Sequence, residues 1–275
     1  MERNREKRHL FSSKSVESLR NVLKRNSKSK DMKTTLKTSS ESRSTSQSSR
    51  SATLATRART RLRESRFRAQ NESLSSTLKT NKTSIKSLED FQSYHLAFKQ
   101  VSNRWPIRPI DHIIGRLQSL PAIKSIADMG CGPEPLLAKA FPKRNVYSMD
   151  LFSSNPKIIV SNMNSIPLED ESIDSIVFCL SLLSPDLRRP LSEANRVLKT
   201  CGLLMITEIT SRFQSKEKSF IKTLRELGFK STKFQFISEQ KMFVFFEFRK
   251  IESKKWSEIK KLPKIALKSC KYKKR

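Results

Sequence analysis

Apolar positions recur at two different spacings and divide the chain into helical and extended segments. From Leu88 to Val101 they follow helical spacing, Ser87 suits the N-cap, and Pro109 opens a second helix that Pro121 ends. Beyond Pro121, short apolar runs alternate with amphipathic stretches. The pattern predicts strands at 125–129, 145–149, 158–161, 172–182, 203–209, 234–237 and 242–249, and helices at 134–140, 191–199 and 218–227.

The order of these elements predicts the architecture. Early strands alternate with helices, which indicates a parallel sheet covered on both faces. Only four residues separate the last two strands, so they can form an antiparallel hairpin but not a crossover. We therefore predict an α/β fold with a Rossmann-like, mostly parallel sheet and an antiparallel C-terminal hairpin. This combination is typical of class I methyltransferases.

The flanking segments are polar and strongly basic. Residues 1–88 hold 23 Lys and Arg against 7 Asp and Glu, and residues 250–275 hold 11 against 2. The Ser/Thr-rich N-terminal part has few large apolar residues to offset its ordering entropy. We expect a disordered basic tail over 1–86, with possible short helices at 11–25 and 52–68, a domain over 87–250, and a basic tail over 251–275.

The charge of the chain and its cysteines indicate the class of binding partner and the cellular compartment. Basic tails suggest a polyanion, most simply nucleic acid, while solubilising or nuclear-import tails are the alternative. No apolar stretch of about 18 residues predicts a membrane span. The cysteines indicate reduced thiols in the cytosol or nucleus, and they lack the spacing of metal sites: Cys131, Cys179, Cys201 and Cys270.

A glycine turn followed by an acidic strand end is the strongest local motif. Asp128 lies at the end of the first strand and Gly130 and Gly132 follow it, while Asp150 ends the second strand, 20 residues after Gly130. Glycines permit close approach of the backbone to a ligand, and the carboxylate can accept from two ribose hydroxyls. A loop that binds NAD would require a third glycine. In this chain Pro133, Glu134 and Pro135 occupy that region instead. S-adenosylmethionine is favoured, and a turn without a ligand is the alternative.

Further candidates lie at other predicted strand ends and on the first helix. The Asn162 amide can accept from an adenine amine and Met163 can pack on the ring, or both are ordinary turn and core residues. Cys179 lies within 177–182, at the end of the fourth strand. The absence of an Asn/Asp-Pro-Pro-aromatic motif there disfavours the usual exocyclic-amine methyltransferase, and the absence of a Pro-Cys pair favours packing or cofactor contact over nucleophilic catalysis. His95 lies on an apolar helix face, where a buried core histidine is the alternative.

Several ordered segments together resemble the ribosomal RNA-processing protein 8 (nucleomethylin) family. The resemblance runs from about residue 87 to residue 250 and keeps the order of the motifs. Its most distinctive parts are Phe-Cys-Leu-Ser-Leu at 178–182 and Glu-Ala-Asn-Arg-Val-Leu-Lys at 193–199. The other segments that carry it are 91–95, 105–106, 126–132, 167–170 and 208–213.

The resemblance implies a nucleolar, S-adenosylmethionine-dependent enzyme that methylates N1 of an adenine in large-subunit ribosomal RNA. We expect a monomer that binds ribosomal RNA or the pre-ribosome through its tails and core. The cofactor contacts that the resemblance implies are His95, Gly130, Asp150, Asn162, Met163 and Cys179.

Two departures from the family pattern qualify that reading. The family usually has Asp at the position of Asn162, and Glu134 lies in a longer glycine loop where it can replace the family's acid. The sequence shows no acid/base pair, and we name no catalytic base. The competing interpretation is a non-catalytic RNA-binding assembly or chromatin-silencing factor with a vestigial pocket. A methyltransferase acting on protein or a small molecule is a third.

Overall fold

The computed structural model describes residues 85–268 continuously, and a few helical, exposed positions of the segment 54–69. These positions agree with the short helix expected over 52–68. The expectations for the rest of 1–86 and for 269–275 lie outside the described residues. No helix in the described parts of the chain is long and apolar enough to cross a membrane.

The helices and strands follow the predicted order. The helices are α1 (Leu88–Ser102), α2 (Pro109–Gln118), α3 (Leu136–Ala140), α4 (Arg188–Val197), α5 (Glu217–Glu226) and α6 (Trp256–Ile259), with a 3-10 turn at Thr210–Arg212. The strands are β1 (Ser125–Met129), β2 (Asn145–Asp150), β3 (Ile159–Val160), β4 (Ile173–Cys179), β5 (Leu198–Ile209), β6 (Phe229–Ile237) and β7 (Phe243–Lys250).

The seven strands form one sheet in the order β3-β2-β1-β4-β5-β7-β6. Strands β1 to β5 pair in parallel, whereas β7 inserts between β5 and β6 and is antiparallel to both. The predicted hairpin is therefore confirmed. The expected class I methyltransferase fold is confirmed with it, because this fold combines a parallel sheet with an antiparallel terminal pair.

Backbone conformation explains where strand bounds differ from the prediction. Strand β4 ends at Cys179 rather than at residue 182, because Leu180 adopts a left-handed φ of 58°. Strand β5 begins five residues earlier than predicted, at Leu198, and its register with β4 shifts across Cys201, which has a φ of 66°. Leu180 thus ends β4 where periodicity indicates continuation, whereas Cys201 lies within β5, ahead of the residue at which the sequence pattern predicts that strand to begin.

The core lies on both faces of the sheet. Apolar side chains of α4, α5 and α6 cover one face, and those of α2 and α3 cover the other. Strand β7 supplies both layers because its residues alternate between the faces and are almost entirely buried. Its aromatic core residues are Phe243, Phe245, Phe246 and Phe248.

Helix α1 approaches the sheet through aromatic contacts. The Ser87 hydroxyl accepts a hydrogen bond from the Asp90 N–H at 3.1 Å, which confirms the predicted N-cap. The Phe98 and Trp105 ring centroids lie 5.6 Å apart, and those of Trp105 and Phe243 lie 5.0 Å apart. Trp105 thus connects α1 to the first residue of β7.

The C-terminal segment packs against the domain and does not behave as a detached tail over its described part. Ile259 and Ile265 are buried in the same core layer as α4 and α5. The Leu187 N–H donates to the Ile265 carbonyl at 2.8 Å, and the Lys254 N–H donates to the Asn195 side chain at 2.9 Å. The packed chain therefore extends past the boundary expected at residue 250, at least to Lys268. The sequence pattern did not predict this packing, because the apolar residues of the segment are isolated among many lysines.

Candidate cofactor site

The loop after β1 folds over the end of β2. The N–H groups of Gly130 and Cys131 both donate to the Met149 carbonyl, at 2.8 and 3.0 Å. Gly130 and Gly132 have left-handed φ values of 79° and 71°. A Cβ on Gly130 would lie 2.4 Å from the Ser181 Cβ, so this position requires glycine.

Asp150 joins this loop to β2. The Gly132 N–H donates to Oδ2 at 2.7 Å, and the Leu151 N–H donates to Oδ1 at 2.7 Å. Each oxygen retains acceptor capacity, which suits two neighbouring ribose hydroxyls. Burial raises the pKa of Asp150, and the hydrogen bonds from Gly132 and Leu151 partly oppose that rise. The two backbone N–H groups thus orient the Asp150 side chain and stabilise its charged form, which burial alone would disfavour.

Asp128 is a second carboxyl group beside this loop. It is buried near the end of β1, and burial together with the charge of Asp150 raises its pKa to about 7. Two carboxylates in a desolvated environment repel each other, and a cationic ligand relieves this repulsion. The methionine part of S-adenosylmethionine carries a sulfonium and an ammonium group against one carboxylate, so its net positive charge suits this acidic site.

His95 covers the glycine loop from α1. A Cβ on Gly132 would lie 3.3 Å from the His95 Cε1 and 3.4 Å from its Nδ1, so the imidazole packs directly on the loop. The His95 ring centroid lies 4.3 Å from that of Phe91. Burial lowers the pKa of His95 to about 4, so the ring is neutral near pH 7. A neutral imidazole can line the pocket without repelling a cationic cofactor.

The loop after β3 lies next to Asp150. The Ser161 N–H donates to the Asp150 carbonyl at 2.9 Å, which positions the following Asn162 and Met163 at the same edge of the sheet. Asn162 is exposed, and its Oδ1 accepts from the Asn164 N–H at 2.9 Å. Met163 is partly buried against the core. Asn162 therefore closes a local turn while its side chain stays accessible to a ligand.

Cys179 is the last residue of β4 and is partly buried. Burial raises its pKa well above the usual value, with further contributions from the charges of Asp128, Glu208 and Asp111. The thiol therefore stays protonated near neutral pH. This protonation state is consistent with a packing or contact role and opposes nucleophilic catalysis.

Glu134 does not extend the acidic site. Its carboxylate is about half exposed and forms ion pairs with Lys99 at 2.8 Å and Lys139 at 3.3 Å. Glu134 was expected to replace an acid of the family's glycine loop. In the structure its carboxylate is paired with these two surface lysines. One of these pairs connects the loop to α1, the helix that carries His95.

A buried ion pair that the sequence analysis missed holds the loop after β4. The Glu208 carboxylate accepts from the Leu182 N–H at 3.1 Å and pairs with the Arg212 guanidinium at 2.7 Å. Arg212 also donates to the Leu182 carbonyl at 2.7 Å. The sequence did contain a signal for this ion pair: a Glu at the end of an apolar strand lies four residues before an Arg.

Ser181 was also missed. It is buried against Gly130, and its Oγ has no hydrogen-bond partner among the described residues. A buried unpaired hydroxyl beside the glycine turn is available to a ligand. Ser181 lies in the Phe-Cys-Leu-Ser-Leu segment, but no feature of that segment indicated that its hydroxyl lies beside the glycine turn.

The C-terminal segment supports the loop after β3 from behind. The Arg189 guanidinium lies 4.8 Å from the Trp256 ring centroid, and its Nε donates to the Asn164 carbonyl at 3.0 Å. Trp256 belongs to α6, which the sequence analysis placed in the basic tail. The segment after residue 250 therefore contributes to the framework of the site.

The structure thus brings the predicted residues to one edge of the sheet. Gly130, Asp150 and the Asn162–Met163 loop are linked by backbone hydrogen bonds, His95 lies over the loop, and Cys179 lies at the end of the adjacent β4. Their contact with a cofactor remains a prediction. Within the described residues, no group of His, Cys, Asp and Glu side chains could hold a metal ion.

Comparison with solved structures returns methyltransferases at low sequence identity. A Burkholderia thailandensis 1,6-didemethyltoxoflavin-N1-methyltransferase, solved with S-adenosylhomocysteine, has 16% identity and a TM-score of 0.46. It covers 60% of this chain and 87% of its own.

Curated relatives are more similar in sequence. Ribosomal RNA-processing protein 8 of Drosophila melanogaster is 38% identical over 76% of this chain and 57% of its own length. The Arabidopsis thaliana protein of the same name is 39% identical over 67% of this chain and 64% of its own. The Schizosaccharomyces pombe 25S rRNA (adenine(645)-N(1))-methyltransferase is 38% identical over 67% and 60%. The chain spans less than two thirds of each of these relatives.

A family profile described as "Hypothetical methyltransferase" matches residues 53–275. This range includes the whole sheet, the glycine loop and the packed C-terminal segment. The chain therefore belongs to this methyltransferase family, the family of ribosomal RNA-processing protein 8.

Proposed function

We propose that the chain is an S-adenosylmethionine-dependent methyltransferase that modifies N1 of an adenine in large-subunit ribosomal RNA during ribosome biogenesis. Membership of the methyltransferase family and the name of the Schizosaccharomyces pombe relative support the activity and the substrate. The net charge of +30 suits a polyanionic substrate.

The observation that carries the cofactor assignment is the bond between the Gly132 N–H and the Asp150 carboxylate at 2.7 Å. It holds the acidic strand end beside a glycine turn in which a Cβ at Gly130 has no space. Gly130, Asp150, Asn162, Met163, Cys179 and His95 would hold S-adenosylmethionine, which supplies the methyl group when it is bound. The Ser181 hydroxyl adds an unpaired polar atom beside the same turn.

The proposed chemistry requires orientation rather than a strong base. N1 of neutral adenine already has a lone pair that can attack a sulfonium methyl group. Neutral His95 and the protonated Cys179 thiol add no charge that would compete with this attack. The chain must expose an unstacked adenine and align its N1 with the methyl group. This requirement explains why no acid/base pair is needed at the site.

The test measures cofactor binding and turnover separately. Calorimetry on the full chain should show S-adenosylmethionine binding, and mass spectrometry should find N1-methyladenosine in ribosomal RNA only when the protein is present. Asp150→Ala serves as the control that lacks the ribose acceptor. RNA binding without cofactor binding or turnover would instead support a non-catalytic assembly factor.

The proposed substrate also implies location and partners. We infer a nucleolar protein that contacts ribosomal RNA or the pre-ribosome through its core and its basic flanking residues. The names of the relatives support a role in ribosomal RNA processing. Fluorescence imaging of the tagged full chain should show nucleolar enrichment, and cross-linking should recover ribosomal RNA. Uniform cytoplasmic signal would contradict this assignment.

A further inference from the structure

The outer end of the sheet carries a surface that the proposed cofactor site does not use. Strand β6 is the edge strand at this end of the sheet. Helix α5 packs beside it, on the sheet face that Phe246 of β7 also faces. The Phe220 ring of α5 and the Phe234 ring of β6 both lie 5.3 Å from the Phe246 ring of β7. We name the following residues the α5–β6 surface: Lys218, Lys222, Arg225, Phe234, Phe236 and Lys241.

Two aromatic rings on this surface are accessible. Phe234 and Phe236 are 38% and 37% exposed, and their ring centroids lie 5.4 Å apart. The Lys241 ammonium lies 5.5 Å from the centre of the Phe236 ring. Exposed aromatic rings on a strand, accompanied by cations, form platforms on which the bases of single-stranded nucleic acid stack.

The cations of α5 form a stripe on its exposed side. Lys218, Lys222 and Arg225 follow the spacing i, i+4, i+7, opposite the buried Phe220 and Leu224. Lys218 lies in the first turn, where the helix dipole disfavours a cation, and Lys222 adds a like charge four residues later. A polyanion bound along the stripe would relieve the repulsion between Lys218 and Lys222.

We propose that the α5–β6 surface binds a single-stranded segment of RNA, with phosphates on the α5 cations and Lys241 and bases stacked on Phe236 and Phe234. The proposal rests on the proposed RNA substrate and adds a binding site to it. Strands β4, β5 and β7 separate β6 from β1 in the sheet. The surface would therefore hold RNA flanking the target while the target adenine reaches the cofactor site.

The first test compares two triple variants of the full chain with equal changes in charge. Lys218→Gln, Lys222→Gln and Arg225→Gln remove the stripe, while Lys124→Gln, Lys143→Gln and Lys157→Gln remove three exposed lysines elsewhere. Fluorescence anisotropy with oligouridylate at several salt concentrations measures the salt slope. The stripe variant should lower the slope by about 2, at about 0.7 per phosphate contact of a single strand. An equal change in both variants would overturn the proposal.

The second test concerns stacking. Phe236→Leu keeps an apolar side chain but loses the ring, while Phe236→Tyr keeps the ring. We expect Phe236→Leu to weaken oligouridylate binding about five-fold or more, and Phe236→Tyr to stay close to the parent chain. Equal affinity of the Leu variant and the parent would show that no base stacks on the Phe236 ring and would overturn the proposal.

Cofactor binding distinguishes this proposal from the proposed function. Calorimetry should give the parent affinity for S-adenosylmethionine with every variant named above, because the cofactor site lies elsewhere in the sheet, and thermal unfolding should show that each variant is folded. If the parent chain binds no cofactor but the stripe variant still loses RNA affinity, the proposed activity fails and the RNA surface stands. If the parent methylates RNA and the stripe variant binds RNA like the parent, the RNA surface fails alone.

Discussion

The Gly132 N–H donates a hydrogen bond to the Asp150 Oδ2 at 2.7 Å, and this bond connects the first two strands at the site. The two residues are 18 positions apart: Gly132 belongs to the loop after β1, and Asp150 is the last residue of β2. The bond orients the carboxylate for a diol and keeps the glycine turn closed. The side chain that fixes the local backbone geometry is therefore the same one that we propose for cofactor binding.

Replacing Asp150 by Ala should weaken S-adenosylmethionine binding by about 1.5–3 kcal/mol, the range for hydrogen bonds to a charged group. Calorimetry measures the affinity. Asp150→Asn retains one acceptor oxygen and should lose less. Unchanged affinity in a folded Ala variant would exclude Asp150 from the cofactor site.

Gly130→Ala should destabilise the protein by about 2 kcal/mol or more. A Cβ there would meet the Ser181 Cβ at 2.4 Å, and the residue's φ of 79° is unfavourable for L-residues. Gly115→Ala is the matched control, since it lies within α2 and nothing lies within 4 Å of its Cβ position. The control should stabilise the protein by about 0.5–1 kcal/mol. Urea denaturation compares the two, and equal stabilities would contradict the steric argument.

The pH dependence of stability should reflect two buried groups with opposite signs. Burial lowers the pKa of His95 from 6.5 to about 4, so its stabilising contribution is complete above pH 6.5 and is lost as pH falls towards 4. Burial raises the pKa of Asp128 from 3.8 to about 7, so its contribution is complete below pH 3.8 and is lost as pH rises towards 7. The two slopes oppose each other between pH 4 and 6.5.

Asp128→Asn removes one of these slopes. The free energy of unfolding of this variant should rise with pH more steeply than that of the parent, by about 1 kcal/mol per pH unit between 4 and 6.5. Urea denaturation across that range measures it. His95→Gln should shift the slope in the opposite direction. Parallel profiles for Asp128→Asn and the parent would show that Asp128 does not titrate as described.

The C-terminal segment should be necessary for stability. Ile259 is 1% exposed in the core layer of α4 and α5, so Ile259→Ala should cost about 2–5 kcal/mol. Ile251→Ala is the matched control, because Ile251 is 49% exposed and its loss should change stability by less than about 0.5 kcal/mol. Thermal or urea unfolding separates them. An Ile259→Ala variant as stable as the parent would show that residues 251–268 do not contribute to the stability of the domain.

Asn162→Asp should tighten cofactor binding by about 1 kcal/mol, because a charged acceptor forms a stronger hydrogen bond to the adenine amine than an amide does. The existing bond from the Asn164 N–H at 2.9 Å would be kept by the carboxylate. Asn155→Asp is the control, since the Asn155 Oδ1 accepts from the Lys157 N–H at 3.0 Å in a similar turn. Equal effects of both substitutions would indicate a general charge effect rather than contact with adenine.

Local patterns in the sequence determined the elements and the chemistry of their ends. Helical spacing and Ser87 predict α1, and the glycine turn with Asp150 twenty positions after Gly130 predicts a cofactor cradle. These features depend on backbone conformation and on residues that are near each other in the chain. The same locality explains why the hairpin of β6 and β7 was recognisable from its short connection.

Only the tertiary structure decided which distant residues meet. The insertion of β7 between β5 and β6, the packing of His95 on Gly132 and the burial of Ile259 all join residues far apart in sequence. Such contacts depend on the complementary shapes of whole elements, which periodicity does not contain. For the same reason the lysine-rich composition after residue 250 suggested a tail, although a few apolar side chains there complete the core.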